Sequence, residues 1–253
     1  MLKPPLDCFD GGAFSFCLID DFCQQFEPLL EQRLPDESSD KRRRRMCEMS
    51  LSEMTTMVVL AALLKTLKGA CTGLSIADAT PLAVCYDLRI QRHRVFKGIA
   101  QRGKSSTGWF YDFKLHAVIN HQGERLAIKV TAGNVDDRKG LLAIASGLFG
   151  TPYADKGYIG KEFAQKMKNK GIDLVTRVRK NRKEVMHFEF DQALLRKRSL
   201  VETVFDELKN RCQIEHTRNR LPMNFAVNLM AGIVAYCLQP VSLALQYGIL
   251  GNR

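Results

Sequence analysis

The sequence predicts an α/β protein: a mixed α+β sheet covered by helices, with a small helical module in front. Two observations carry that prediction. Apolar residues recur at helical spacing up to about residue 70, then change to short β-branched runs and alternation. The strand-like runs come first singly, then as a hairpin, then singly between helices. That order, strand, hairpin, helix, strand, helix, strand, helix, requires both antiparallel and parallel neighbours in one sheet.

The elements follow in sequence. DDFCQQFEPLLEQRL, from Asp20, has an apolar helical stripe, and DESSDKRRRRM is a charged link. SLSEMTTMVVLAALLKTL opens on a capping box, Ser50 with Glu53. An all-helical start beside a basic run suits a helix-turn-helix DNA binder; a solvated loop is the plain alternative for Lys41–Arg45. Ser75–Val84 reads as a strand holding one charge, Asp78. Trp109–Asn120 and Glu124–Thr131 flank His-Gln-Gly as a hairpin. Asn134–Asp137 caps a helix over LLAIASGLF, and Thr151–Asp155 is a short strand. Lys161–Lys170 is a helix, Ile172–Val178 a strand, and RKRSLVETVFDELKNR a long amphipathic helix. NFAVNLMAGIVAYCL is an apolar packing helix. The boundaries expected are 1–70 for the N-terminal helical, DNA-binding module, 71–215 for the mixed-sheet domain, and 216–253 for a C-terminal helical segment packing on it.

The 253 residues carry a net charge of +11, which favours a polyanionic partner, nucleic acid before a membrane surface. Lys3 is followed by Pro-Pro and acidic residues rather than an apolar signal region. The longest apolar run, MVVLAALL, falls far short of the roughly 20 residues of a spanning helix. The 8 cysteines include no C-x-x-C pair, so reduced, buried thiols of a cytosolic protein are expected.

Three carboxylates occupy distinctive places. Asp78 is a charge inside an apolar strand, costly unless a cation meets it. Asp155 ends a strand, before Lys156 and Gly157. Glu202 stands at the rim of the stripe formed by Val201, Val204, Phe205 and Leu208. If the two strands are neighbours and the helix crosses them, the three converge. Such an oxygen-rich site suits Mg²⁺, and two ions about 4 Å apart can activate an attacking oxygen and steady a leaving one in phosphodiester transfer. The plain alternatives are a satisfied turn residue for Asp78 and an N-cap for Asp155. On an α-helix Arg198, Glu202 and Lys209 lie within roughly 40° of one another, one polar stripe able to grip phosphates. Its plain alternative is a surface Arg–Glu pair worth about 0.3–0.5 kcal/mol.

Seven stretches together resemble one family: GLSIADATPLAVC, GKSSTGWFYDFKLHAVIN, VTAGNVDDRKG, YADKGYIG, VRKNRKE, LLRKRSLVETVFDELKN and IEHTRNRLPMNFAVNLMAGIVAY. They resemble the DDE transposases of bacterial insertion sequences, most closely the family numbered nine-eight-two, whose catalytic domain is ribonuclease H-like. By position Asp78, Asp155 and Glu202 match its D, D and E, and Arg198 and Lys209 its R and K; the Tyr three before the Arg is replaced by Leu195. The resemblance implies two Mg²⁺ ions, with Mn²⁺ able to substitute. It implies cutting of element ends, and attack of the freed 3′-hydroxyl on target DNA without a covalent protein intermediate. Double-stranded DNA and a homodimer holding two ends are the implied partners, in a bacterial, nucleoid-associated, cytoplasmic setting without a membrane. One departure is the direct join between the N-terminal helices and the first strand, where the family has a further helical stretch; it reads as an internal deletion. The alternative function is therefore a catalytically incompetent DNA-binding remnant, or inhibitor of the full-length enzyme.

Further DNA contacts are expected from Lys114 on the hairpin, from Lys156, from Arg179, Lys180 and Arg182 after the last strand, and from Arg218. Trp109, Phe110, Tyr111 and Phe113 could stack on an extruded base, but alternating strand aromatics belong more often to a core.

Overall fold

The structure is a computed structural model, and it describes residues 51–85, 87–105, 108–176, 195, 197–215 and 221–239. The first helical stretch, Ser50 of the capping box and the charged link lie outside them, as do Arg179, Lys180, Arg182 and Arg218.

Six strands form one sheet: β1 (Leu74–Ala83), β2 (Gln101–Ser105), β3 (Gly108–Asn120), β4 (Arg125–Ala132), β5 (Thr151–Ala154) and β6 (Val175–Thr176). The helices are α1 (Leu51–Thr66), α2 (Asp137–Ile144), α3 (Lys161–Lys168), α4 (Ser199–Asp206) and α5 (Pro222–Leu238), and α4 continues as a π turn over Glu207–Arg211. β1 is antiparallel to β3, which is antiparallel to β2 and β4. On its other side β1 is parallel to β5, and β5 to β6. This is the expected mixed α/β sheet: antiparallel strands continued by parallel ones, with helices on both faces.

Strand alternation divides the core in two. Ile76, Leu82, Phe113, Leu115, Ala117 and Ile119 face a layer built from α1, α4 and α5. Ala77 and Val118 face α2 and α3, through Leu141, Ile144, Phe163 and Met167. Asp78 has the parity of Ile76, so it points into the layer that contains α4.

Several elements differ from expectation. β2 is an additional strand, paired to the start of β3. The helix expected over LLAIASGLF begins earlier, at Asp137, where the Asp136 carboxylate accepts from the Arg138 amide at 2.9 Å. It ends at Ile144, shortly before Gly147 turns the chain at φ +80°. Of the strand expected over Ile172–Val178, the described part pairs only at Val175–Thr176, with one further bridge from Ile172 to Gly150.

Two glycines set the register of β1 and β5. Gly73 and Gly150 precede these strands at φ of +85° and +84°, the region glycine tolerates best. The Thr151 amide donates to the Gly73 carbonyl at 2.7 Å, and a Cβ on Gly150 would stand 2.2 Å from that same oxygen.

Candidate catalytic site

Because β1 and β5 are parallel with Ala77 opposite Ala154, the next residues, Asp78 and Asp155, leave the sheet at one level. α4 lies against this region, with Val201, Val204 and Phe205 buried beneath it and Glu202 at the edge of that buried stripe. The three carboxylates come from a mid-strand, a strand end and a helix rim, and they meet at one guanidinium.

Arg198 occupies the centre. Its Nη1 donates to Asp78 Oδ2 at 3.0 Å and lies 4.0 Å from Asp155 Oδ2, while its Nη2 donates to Glu202 Oε1 at 2.9 Å. Asp78 Oδ1 accepts from the Ala79 amide at 2.8 Å. The side chains of Arg198 and Asp78 are 17% and 19% exposed, against 42% for Asp155 and 56% for Glu202. The cluster is therefore closed at Asp78 and open at Asp155 and Glu202, the side from which a phosphate can approach.

Burial pushes the Asp78 carboxyl up to about 6. The Ala79 amide and the Arg198 guanidinium pull it down, and the neighbouring Asp155 and Glu202 charges add to the rise. Tyr158, buried behind the β5 exit, is held protonated by burial and by the nearby carboxylates, Asp78 foremost.

The donor chemistry of Asp78, Asp155 and Glu202 fits a hard divalent cation, which takes carboxylate oxygens and waters. As they stand, Arg198 is their common cation, and among the described residues no three acidic, histidine or cysteine side chains close tightly enough to hold a metal ion. The guanidinium thus stands where the three carboxylates meet.

The other predicted residues fall differently. Lys209 lies in the π turn, and its Nζ donates to the Pro81 carbonyl at 2.6 Å and pairs with Glu215 at 3.1 Å. Glu215 in turn accepts from the Ala83 amide at 2.7 Å, tying the helix to the end of β1. Lys114 points to the opposite face of the sheet from Asp78, bonded to the Val135 carbonyl at 2.8 Å and paired with Asp137 at 2.9 Å. Lys156 is exposed beside Asp155. Phe113 is a core residue, and the Tyr111 hydroxyl donates to the Phe96 carbonyl at 3.0 Å. The structural role of Glu215 escaped sequence reasoning. Its only signal was a lone acid before the basic HTRNR run.

The sheet thus brings two aspartates to one level, with a helical glutamate beside them and an arginine among the three. Residues 68–222 match the family described as a transposase DDE domain, well over half of the chain, and the protein belongs to that family. No curated protein matches it in sequence. Among solved structures it is similar to a chain of the simian T-cell lymphotropic virus intasome in complex with the PP2A regulatory subunit B56 gamma. That likeness has 15% identity and a TM-score of 0.30, and covers 66% of this chain and 51% of the other. The chain thus spans about half the length of that relative. It is similar also to piggyBac transposase in a synaptic complex with hairpin DNA, at 8% identity and TM-score 0.44, covering 97% of this chain and 78% of the other. A third is the Mos1 mariner paired end complex with Mn, at 10% identity and TM-score 0.30, covering 94% and 79%. All three likenesses are loose, and the family assignment rests on the sequence match.

Proposed function

We propose that the chain is the DNA transposase of a bacterial insertion sequence of family nine-eight-two. In this reading it cuts the element ends and joins the freed 3′-hydroxyl to target DNA. The observation that carries the reading is the convergence of Asp78, Asp155 and Glu202 on Arg198, a constellation drawn from three separate elements. Asp78, Asp155 and Glu202 would hold two Mg²⁺ ions, or Mn²⁺ in their place, which when bound supply an activated oxygen nucleophile and charge stabilisation at the leaving oxygen.

The chain's own residues do the rest. The buried end of the cluster, at Asp78, excludes water on one side. The open end admits a phosphodiester past Asp155 and Glu202. A guanidinium released from the carboxylates is placed to bind phosphate oxygens in a forked geometry, and exposed Lys156, the residue after Asp155, supplies a second cation. The partners are double-stranded DNA, as element ends and as target, and a second copy of the chain to hold the paired end. The setting is the bacterial cytoplasm at the nucleoid. Residues 71–215 form the catalytic domain in this scheme, with 1–70 the DNA-binding module and 216–253 a packing segment.

The test is Mg²⁺- or Mn²⁺-dependent cleavage of a duplex carrying an element end. Asp78→Asn, Asp155→Asn and Glu202→Gln each abolish it on this assignment; variants that cut like the parent sink the assignment. A second reading is supported by the short connection from α1, ending at Thr66, to β1, starting at Leu74. There the chain binds ends without cutting them and inhibits the full-length enzyme. End binding with no cleavage at any metal concentration selects that reading.

A further inference from the structure

The segment between β1 and β3 is not used by the carboxylate site, yet it is the most one-sidedly charged part of the described chain. From residue 87 to residue 104 it carries Arg89, Arg92, Arg94, Lys97, Arg102 and Lys104 against the single acid Asp87. Arg89, Arg92 and Lys97 are exposed, and no ion pair holds any of the three among the described residues.

A run of solvated charge on a loose loop would have a bland explanation. This segment is instead pinned to the core. Phe96 is 1% exposed, with its ring 5.4 Å from both Phe113 and Phe225. His93 stacks on it at 5.5 Å, and the Tyr111 hydroxyl holds its carbonyl. Ile99 and Ala100 are buried beside it. The cations thus stand on a fixed base, and phosphate binding need not first order a floppy chain.

Position adds a second argument. The Phe96 cluster lies on the sheet face that contains Asp78 and α4. β1 ends five residues beyond Asp78 at Ala83, about 17 Å along the strand, and the segment follows it from Asp87. That distance is about 5 base pairs of duplex at ~3.4 Å each. Leu88, the one large apolar side chain exposed on the segment, is too isolated to make a protein-docking patch.

From this charge, anchoring and placement we propose that residues 87–103 are a backbone-binding platform for duplex DNA. Arg89, Arg92 and Lys97 contact backbone phosphates of the duplex that flanks the phosphodiester at the carboxylates. The proposal rests on the transposase reading and adds to it the surface that supports the flanking duplex.

The test measures binding of the full chain to an end-bearing duplex as a function of salt. The variants are the triple Arg89→Ala/Arg92→Ala/Lys97→Ala and a control, Lys161→Ala/Lys168→Ala/Lys170→Ala. The control removes equal charge from α3 and the turn after it, on the opposite face of the sheet. Each phosphate left without its cation lowers the slope of log K against log salt by about 0.9, so the platform variant drops by about 2.7 in slope and the control by less than about 1. A platform variant with the parent's slope overturns the proposal, as does a control that drops as far. If the parent cuts the duplex while the platform variant keeps its slope, the platform alone falls. If the parent binds no duplex, the transposase reading falls with it.

Discussion

Asp78→Asn should stabilise the metal-free protein even as it removes a proposed catalytic carboxylate. Burial raises the Asp78 carboxyl from 3.8 to about 6, and the Arg198 partnership offsets only part of that. A raised carboxyl favours the folded state when protonated, so its contribution is greatest below about pH 4 and is lost as pH rises to about 6. A rise of that size corresponds to roughly 3 kcal/mol, the cost of keeping the charged form buried at neutral pH. Asparagine keeps the shape without the charge, and Arg198 retains Glu202. His116 complicates the parent's own profile, because burial lowers its imidazole to about 4 and stability falls as the pH drops below its ordinary 6.5. The two trends oppose each other between about pH 4 and 6.5. Since His116 is common to parent and variant, their difference isolates Asp78. Urea unfolding in a chelator should show Asp78→Asn gaining roughly 3 kcal/mol on the parent between about pH 4 and pH 7, about 6–12 °C in Tm for a chain of this size. A difference that stays flat with pH, or that turns against the variant at pH 7, would refute the argument that burial dominates at this carboxylate.

Removing the competing cation should favour metal: Arg198→Gln is expected to tighten Mn²⁺ binding about tenfold without DNA, read by free-ion electron paramagnetic resonance, and weaker binding would show the guanidinium is no competitor. Lys209→Ala, which leaves the Pro81 carbonyl without this donor and Glu215 with the Ala83 amide but no cation, should cost about 1–2 kcal/mol in urea unfolding, whereas exposed Lys156→Ala should stay within about 0.5. Gly140→Ala reverses the usual sign of a helical glycine replacement. Its Cβ would stand 2.3 Å from the ring of His116, itself buried and bonded to Thr131, so a loss of about 1–3 kcal/mol is expected where an open site would gain. A Gly140→Ala protein more stable than its parent would mean that His116 can swing aside.

Much of the sheet was legible because burial on one or both faces writes itself into alternation. β1 and the β3–β4 hairpin lie within a residue or two of their expected ends, and Gly123, at φ +87°, makes their turn. β2 was not legible: in QRGKS polar side chains predominate, and the strand exists because the edge of β3 supplies its hydrogen bonds. The expected polar stripe of Arg198, Glu202 and Lys209 assumed an unbroken α-helix. Arg198 and Glu202 do meet at i and i+4, but the π turn from Glu207 changes the phase, and Lys209 bonds to Pro81 and Glu215. Spacing also gave no means of deciding which partner Arg198 takes. A phosphate and three carboxylates are equally good anions on a helical wheel. Only the convergence of β1, the β5 exit and α4 places the carboxylates first.

The Gly73–Gly150 contact bears on how such genes decay. The level at which Asp78 and Asp155 face each other is fixed five residues upstream of each, where two backbones touch without room for a methyl group on Gly150. Any missense change at Gly150 pushes one strand off the other and separates the pair, while leaving all three acidic codons intact. A related chain can thus lose the alignment of the pair with all three acids in place, so a count of intact acids overstates how many keep it; intact glycines at both strand entrances are the stricter criterion.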